Sequence, residues 1–142
     1  GVSFKIADCV TKLDAVSALA YAVAKTIDDG VGTPAYQRRL VSEVKKLATQ
    51  THWEVVNDAM QILGGIGYTH VYPVERALRE ARLAMIWTGS NEIMNLIIQH
   101  EYYREILSKG IEGRDIEADV PLTQAELAEE RIYVSEPTTA AP

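Results

Sequence analysis

Apolar residues recur every three or four positions at the start of the chain: Val2, Ile6, Cys9, Leu13, Val16, Ala20, Val23 and Ile27. That spacing puts them on one face of a helix and predicts an amphipathic segment over 2–28. Ala15, Ala18, Ala20, Ala22 and Ala24 keep the segment narrow, so a neighbour can approach closely. Asp28-Asp29-Gly30 and Gly32 end it. Thr33-Pro34 then supplies an N-cap and a proline at the first helical position. The second helix runs from there to about Leu63, with Leu40, Val44, Leu47, Val55, Ala59 and Ile62 as its stripe and Thr51 filling one place in it. Both segments exceed the usual helix length of about 11 residues. Long helices joined by a short turn pack as antiparallel neighbours in a bundle.

Gly64–Tyr72 reads as a turn, and Pro73 permits a short helix from Val74 to about Leu83. The apolar run Ala84–Trp87 connects to Gly89-Ser90. A last strong helix is predicted from Asn91 to about Ser108, with Ile93, Leu96, Ile97, Tyr103 and Leu107 turned inward and Gly110 as its stop. Thr123-x-x-Glu126 is a capping box for one further short helix. No strand alternation and no internal repeat is visible. The expected fold is therefore all-α, an up-and-down helical bundle. Residues 1–110 form the helical domain and 111–142 an acidic extension.

The charge changes the picture only at the end of the chain. The net charge of −6 over 142 residues belongs to 111–142, where eight acids face Arg114 and Arg131. The first 110 residues are neutral. With Arg38-Arg39 and Lys45-Lys46 as the longest basic runs, no nucleic-acid partner is expected. The single Cys9 excludes an internal disulfide and sits in an apolar stripe, as a buried thiol does. No run of about 18 apolar residues predicts a membrane span, and no signal peptide is visible. A cytoplasmic protein is expected, or one of the mitochondrial matrix in a eukaryote. The first residue is Gly1 rather than Met, so the chain is expected to be part of something longer.

Two small-residue turns carry the candidate chemistry. Gly64-Gly65-Ile66-Gly67 lets backbone approach a ligand, but a helix precedes it where a dinucleotide fingerprint needs a strand. A helix terminator remains the plain alternative. Gly89-Ser90 opens the last helix, whose N-terminus attracts anions. Ser90 and Glu92 there read either as ordinary capping or as a polar cluster facing a ligand. His52, His70 and His100 have no metal-site spacing, so no metal is expected. Nothing resembles a nucleophile elbow.

Four spaced blocks turn these fragments into a resemblance. Gln61-Ile-Leu-Gly-Gly-Ile-Gly-Tyr68, Tyr72-Pro-Val-Glu-Arg76, Arg79-Glu-Ala-Arg82 and Ile86-Trp-Thr-Gly-Ser-Asn-Glu-Ile93 resemble the C-terminal domain of the acyl-CoA dehydrogenases in order and spacing. The similarity covers roughly residues 1–110. It implies a subunit with an N-terminal helical domain, a middle β-domain and this helical bundle, lacking here the bundle's first helix. It also implies FAD in the complete protein, absent from this chain alone. Further implied are an acyl-CoA substrate, an electron-transfer partner and a homo-oligomer, a tetramer or dimer of dimers. In that family a carboxylate removes the α-proton of the thioester while the β-hydrogen leaves as hydride to the flavin.

The resemblance also implies roles. Gln61, Ile62, Leu63, Gly64 and Gly65 match the loop that meets the ADP part of a neighbouring subunit's FAD. Ser90, Asn91 and Glu92 match the stretch touching FAD at the start of the last helix. The two bends are expected to grip together a nucleotide diphosphate borrowed from an adjoining subunit. Gly89 and His100 match substrate contacts, with His100 replacing a more usual arginine. Thr88 occupies the position of the usual glutamate base, and Val71 stands where an acidic residue is common. A threonine hydroxyl cannot abstract an α-proton at neutral pH, so only the Thr88 backbone N–H can act, on the thioester carbonyl. The base then comes from a helix upstream, or the chain is a non-catalytic helical subunit that assembles with a separate flavin-binding chain. A plain interaction bundle is the third reading. The apolar stripes of the two long helices are expected to drive self-association.

Overall fold

The computed structural model describes residues 1–109. The acidic extension, its capping box at Thr123–Glu126 and the stop at Gly110 lie outside the described residues. Four α-helices occupy that span, α1 (Val2–Asp28), α2 (Pro34–Leu63), α3 (Val74–Ala84) and α4 (Asn91–Lys109). A 3-10 turn, Gly64–Tyr68, follows α2. No strand occurs among the described residues. The fold is all-α, as the periodicity predicts.

The ends of the elements follow from local chemistry. At the end of α1 the Gly30 N–H donates to the Ile27 carbonyl and the Val31 N–H to the Thr26 carbonyl, a Schellman closure. α2 begins where Thr33 Oγ1 accepts from the Tyr36 N–H at 3.2 Å, with Pro34 at its first position. α2 ends at Gly64. At the buried Gly67 the chain returns against α2 so closely that an added Cβ would stand 2.8 Å from the Leu63 Cβ and 3.1 Å from the Met60 carbonyl oxygen.

α2 is the spine. α1, α3 and α4 each pack on it, and neither α1 nor α4 packs on α3. The ion pairs fix direction. Lys5 pairs with Asp58 and Lys12 with Glu54, so α1 runs antiparallel to α2. Arg38 pairs with Glu101, whereas Lys45 and Thr49, later on α2, meet Asn91 at the start of α4, so α4 does too. The exposed pairs from α1 add little stability, but all of these contacts report register.

Packing departs from the sequence reading on α4. Of the expected inward set, Ile97 is half-buried, whereas Ile93, Leu96, Tyr103 and Leu107 are exposed. The face meeting α2 is Asn91, Met94, Ile98, Glu101 and Glu105, and it includes two of the chain's buried polar residues, Asn91 and Glu101. The opposing face of α2 is equally polar: Arg38, Ser42, Lys45 and Thr49. The seam between the helices is held by hydrogen bonds and ion pairs, so apolar periodicity selects the wrong side of α4. On α1, Val23 is buried and Cys9, Val16 and Ala20 are half-buried, while Val2, Ile6, Leu13 and Ile27 stay exposed. The buried apolar set among the described residues is only Val23, Ala81 and Met94. Much apolar surface therefore remains open on the outer faces.

Gly67→Ala is expected to destabilise the chain by about 1–3 kcal/mol, because both close neighbours are rigid parts of α2. Gly65→Ala, where an added Cβ meets nothing, is expected to stay within about 0.5 kcal/mol. Urea denaturation of the two variants checks the contrast.

Candidate functional site

The loop between α3 and α4 is where most of the described polar chemistry converges. The chain leaves α3, and the Asn91 N–H reaches back to the Met85 carbonyl at 3.0 Å, closing residues 86–90 into a tight bend. Within it Thr88 has φ +50° and Gly89 φ +90°. A β-branched residue in the left-handed region is a true conformational outlier. At Gly89 an added Cβ would also stand 2.7 Å from the Met94 Cε. Thr88 turns its hydroxyl inward on its own backbone, donating to the Trp87 carbonyl at 2.9 Å. The backbone N–H groups of Thr88, Gly89 and Ser90 donate to no other described residue. Successive free N–H groups beside a helix N-terminus form a concavity for anions.

α4 starts on Ser90, whose Oγ accepts from the Ile93 N–H at 3.4 Å and whose carbonyl accepts from Met94 at 2.9 Å. Glu92 is exposed in the first turn. The Ser90 hydroxyl, followed by its own backbone N–H, holds its carboxyl below the usual carboxylate range, with Arg82 and Lys45 adding smaller attractions. Asn91 is buried. Its Oδ1 accepts from Lys45 Nζ at 2.9 Å and from Thr49 Oγ1 at 3.0 Å. Lys45 Nζ also donates to the Gly89 carbonyl at 2.7 Å. The other end of the amide, Asn91 Nδ2, is buried with no partner. A buried donor left unpaired is costly, and an acceptor supplied from outside the described residues would relieve it.

The Gln61–Gly65 bend is elsewhere. Gln61, Ile62, Leu63, Gly64 and Gly65 are exposed at the C-terminal end of α2, and nothing lies within 4 Å of a Cβ built on Gly64 or Gly65. Thr49 and Lys45, which hold the α4 loop, lie 12 to 18 residues before Gln61–Leu63 on the same helix, or roughly 18–27 Å at the axial rise of an α-helix. One chain therefore does not bring its two bends onto one diphosphate, contrary to the expectation that they act together. The Gln61–Gly65 bend is open to solvent, whereas in the α4 loop Thr88 is exposed, Gly89 and Ser90 are half-buried and Asn91 is buried. Gly89 and His100 are likewise separate, about 16 Å apart along α4. His100 is exposed beside Arg38 and Arg104 in a shallow groove on the outer surface.

Lys45 and Thr49 are the residues that sequence reasoning missed. Lys45-Lys46 looks like a solvated basic pair. The signal lay in the spacing of Arg38, Ser42, Lys45 and Thr49, a polar stripe at helical period inside a long helix.

The sequence profile of the acyl-CoA dehydrogenase C-terminal domain matches residues 1–103. The chain belongs to the acyl-CoA dehydrogenase family. It is similar to a cyclohexane-1-carbonyl-CoA dehydrogenase of Geobacter metallireducens, 38% identical over 100 residues, which cover 70% of this chain and 25% of that protein. It is 40% identical over 98 residues to an acyl-CoA dehydrogenase of Bacillus subtilis, covering 69% and 25% of the two chains. A solved structure from work on the electron transferring flavoprotein of Acidaminococcus fermentans and flavin-based electron bifurcation superposes with a TM-score of 0.65. It is 34% identical, over 72% of this chain and 26% of that one. The chain thus spans about a quarter of the length of the relatives it matches. The acyl-CoA dehydrogenase blocks of the sequence fall on the α2 C-terminus, the 3-10 turn, α3 and the α4 loop. Among the described residues no helix is long and apolar enough to cross a membrane. No cluster of metal-ligating side chains occurs among them either.

Two outcomes test this geometry. Thr88→Asn is expected to raise stability by about 1 kcal/mol in thermal or urea unfolding, since asparagine tolerates the left-handed region that threonine resists. Glu92 has a folded pKa below its unfolded value of about 4.5. Its contribution is therefore present above that pH and lost as the pH falls through the lowered value. Glu92→Gln should flatten the stability curve in that acidic window and leave its shape near neutrality unchanged.

Proposed function

We propose that this chain serves as the C-terminal helical domain of an FAD-dependent acyl-CoA dehydrogenase and contributes cofactor and oligomer contacts to it. The observation that carries the reading is the set of donors at the α4 entrance: the Ser90 N–H, the unpaired Asn91 Nδ2 and the Lys45 cation behind them. A nucleotide diphosphate offers only acceptors, so the residues present fit it. Ionised Glu92 is an acceptor in turn and suits a sugar hydroxyl. Bound FAD would accept the hydride that leaves the β-carbon of an acyl-CoA thioester.

The chain's own residues divide the work. Ser90, Asn91 and Glu92 hold the cofactor, and Gly89 with the Thr88 N–H polarises the thioester carbonyl of the substrate. The exposed Gln61–Gly65 bend, with open space over Gly64 and Gly65, meets the flavin of a neighbouring subunit; its distance from the α4 loop accords with two separate cofactors. The Thr88 hydroxyl, already donating to the Trp87 carbonyl, has neither the pKa nor the orientation of a base. The α-proton is therefore taken by a carboxylate outside this chain. The exposed stripes of α1 and α4 supply the subunit contacts of a homo-oligomer, and an electron-transfer protein is the partner of the whole. His100, exposed beside Arg38 and Arg104, accords with a weak contact to the outer part of the substrate.

The absence of a carboxylate at Thr88 favours one second reading, a non-catalytic helical subunit beside a flavin-binding chain. An assay of the holoenzyme that carries this chain, with a panel of acyl-CoA thioesters and an artificial electron acceptor, separates the two. The proposal expects dehydrogenation. It also expects Thr88→Val to change kcat by less than about tenfold, below the 10²–10⁴ that loss of a general base costs. No turnover with any thioester, although flavin is bound, would support the silent subunit. The 142-residue chain by itself should purify colourless, and a stoichiometric flavin spectrum would contradict the division of the site between segments.

A further inference from the structure

We propose that Lys45 is the positioning residue of the α4 entrance, locking the Thr88–Asn91 bend and setting the direction in which it donates. The inference rests on the functional reading above for what the bend holds, but not for the lock itself. Lys45 sits mid-way along α2, 44 residues from Gly89 and 46 from Asn91. Its ammonium group makes two contacts of hydrogen-bond length across the helix seam, to the Gly89 carbonyl at 2.7 Å and to Asn91 Oδ1 at 2.9 Å.

Each contact has a separate consequence. An ammonium group only donates, so whatever it faces on Asn91 must be the oxygen. Lys45 thereby fixes which way round the amide lies. Thr49 Oγ1, 3.0 Å from the same oxygen, cannot do this, because a hydroxyl can donate or accept. With the oxygen held by Lys45, Nδ2 is left as the buried unpaired donor. At Gly89 the cation draws electron density through the peptide, which makes the Ser90 N–H on the far side of that peptide a stronger donor. Both effects sharpen the same end of α4.

The position also opposes helix stability taken alone. The N-terminal end of a helix is its positive end and favours acids. A lysine brought against the first turn of α4 adds to that positive potential, and exposed Glu92 is the one acid in the turn. A cation stationed there makes sense as preparation for an anion. It also explains why the strained Thr88 persists: Lys45 holds the bend at the Gly89 carbonyl while the Asn91 N–H closes it on Met85.

The test uses Lys45→Met, Lys45→Arg and Thr49→Val in the holoenzyme, with hydrogen exchange over residues 86–94 and flavin affinity as readouts. Lys45→Met is expected to raise exchange in that segment at least about tenfold and to weaken flavin binding by a similar factor. Lys45→Arg, which keeps a donor-only cation, should restore most of both. Thr49→Val should move exchange by less than about threefold, since the amide stays oriented. Unchanged exchange in Lys45→Met, or Lys45→Arg behaving like Lys45→Met, would overturn the assignment. If the unsubstituted protein holds no flavin, the functional reading fails by itself, and the exchange and its recovery in Lys45→Arg still decide the role of Lys45.

Discussion

Everything in the described chain is referred to one rod. α2 is the only helix that touches all the others, so the places where it is touched fix where each loop can be. Its early half meets α4 through Arg38, Arg39, Lys45 and Thr49. Its later half meets α1 through Glu54 and Asp58, and its last turn leads into the Gly64 bend. A rigid helix of 30 residues therefore acts as a ruler. It holds the two bends at a separation no loop could maintain alone. The unusual feature is that the α2–α4 contact is polar. Burying Glu101 and Asn91 is tolerated because each has a specific partner on α2, and polar seams specify one register where a greasy one would allow several.

That seam also explains how far the sequence could be read. The helices were legible because their signals are local: apolar spacing, Thr33-Pro34 at one end, Gly30 and Gly64 at the other. α1 and α2 agree with the predicted bounds, and α3 and α4 extend only about one residue further. The position of the 3-10 turn was legible as a glycine cluster. What failed was the inward face of α4. Periodicity counts apolar residues, and the outer face of α4 holds more of them than the face that packs. Leu96, Tyr103 and Leu107 are exposed while Glu101 is buried, a reversal that only the partner helix could reveal.

The candidate site divides in the same way. Ser90, Asn91, Glu92 and the glycines stand in a motif, so their chemistry could be proposed from the sequence. Lys45 and Thr49 lie more than 40 residues away and come to the site only through the antiparallel pairing of α2 with α4. No spacing rule joins them to Asn91. The distance between the two bends was equally invisible, because proximity in a motif-bearing stretch of sequence does not imply proximity across a helix end. The unpaired backbone donors of Thr88, Gly89 and Ser90 lie in a segment that the sequence blocks had singled out.

The central claim is that the α4 entrance is a cluster of donors whose missing acceptor belongs to a flavin nucleotide. A crystal structure of the FAD-bound holoenzyme tests it most directly. The account predicts an oxygen of the nucleotide within about 3.2 Å of Asn91 Nδ2 or of the Ser90 N–H, at ordinary hydrogen-bond length. A flavin seated elsewhere, with both groups facing only water or protein atoms, would contradict it.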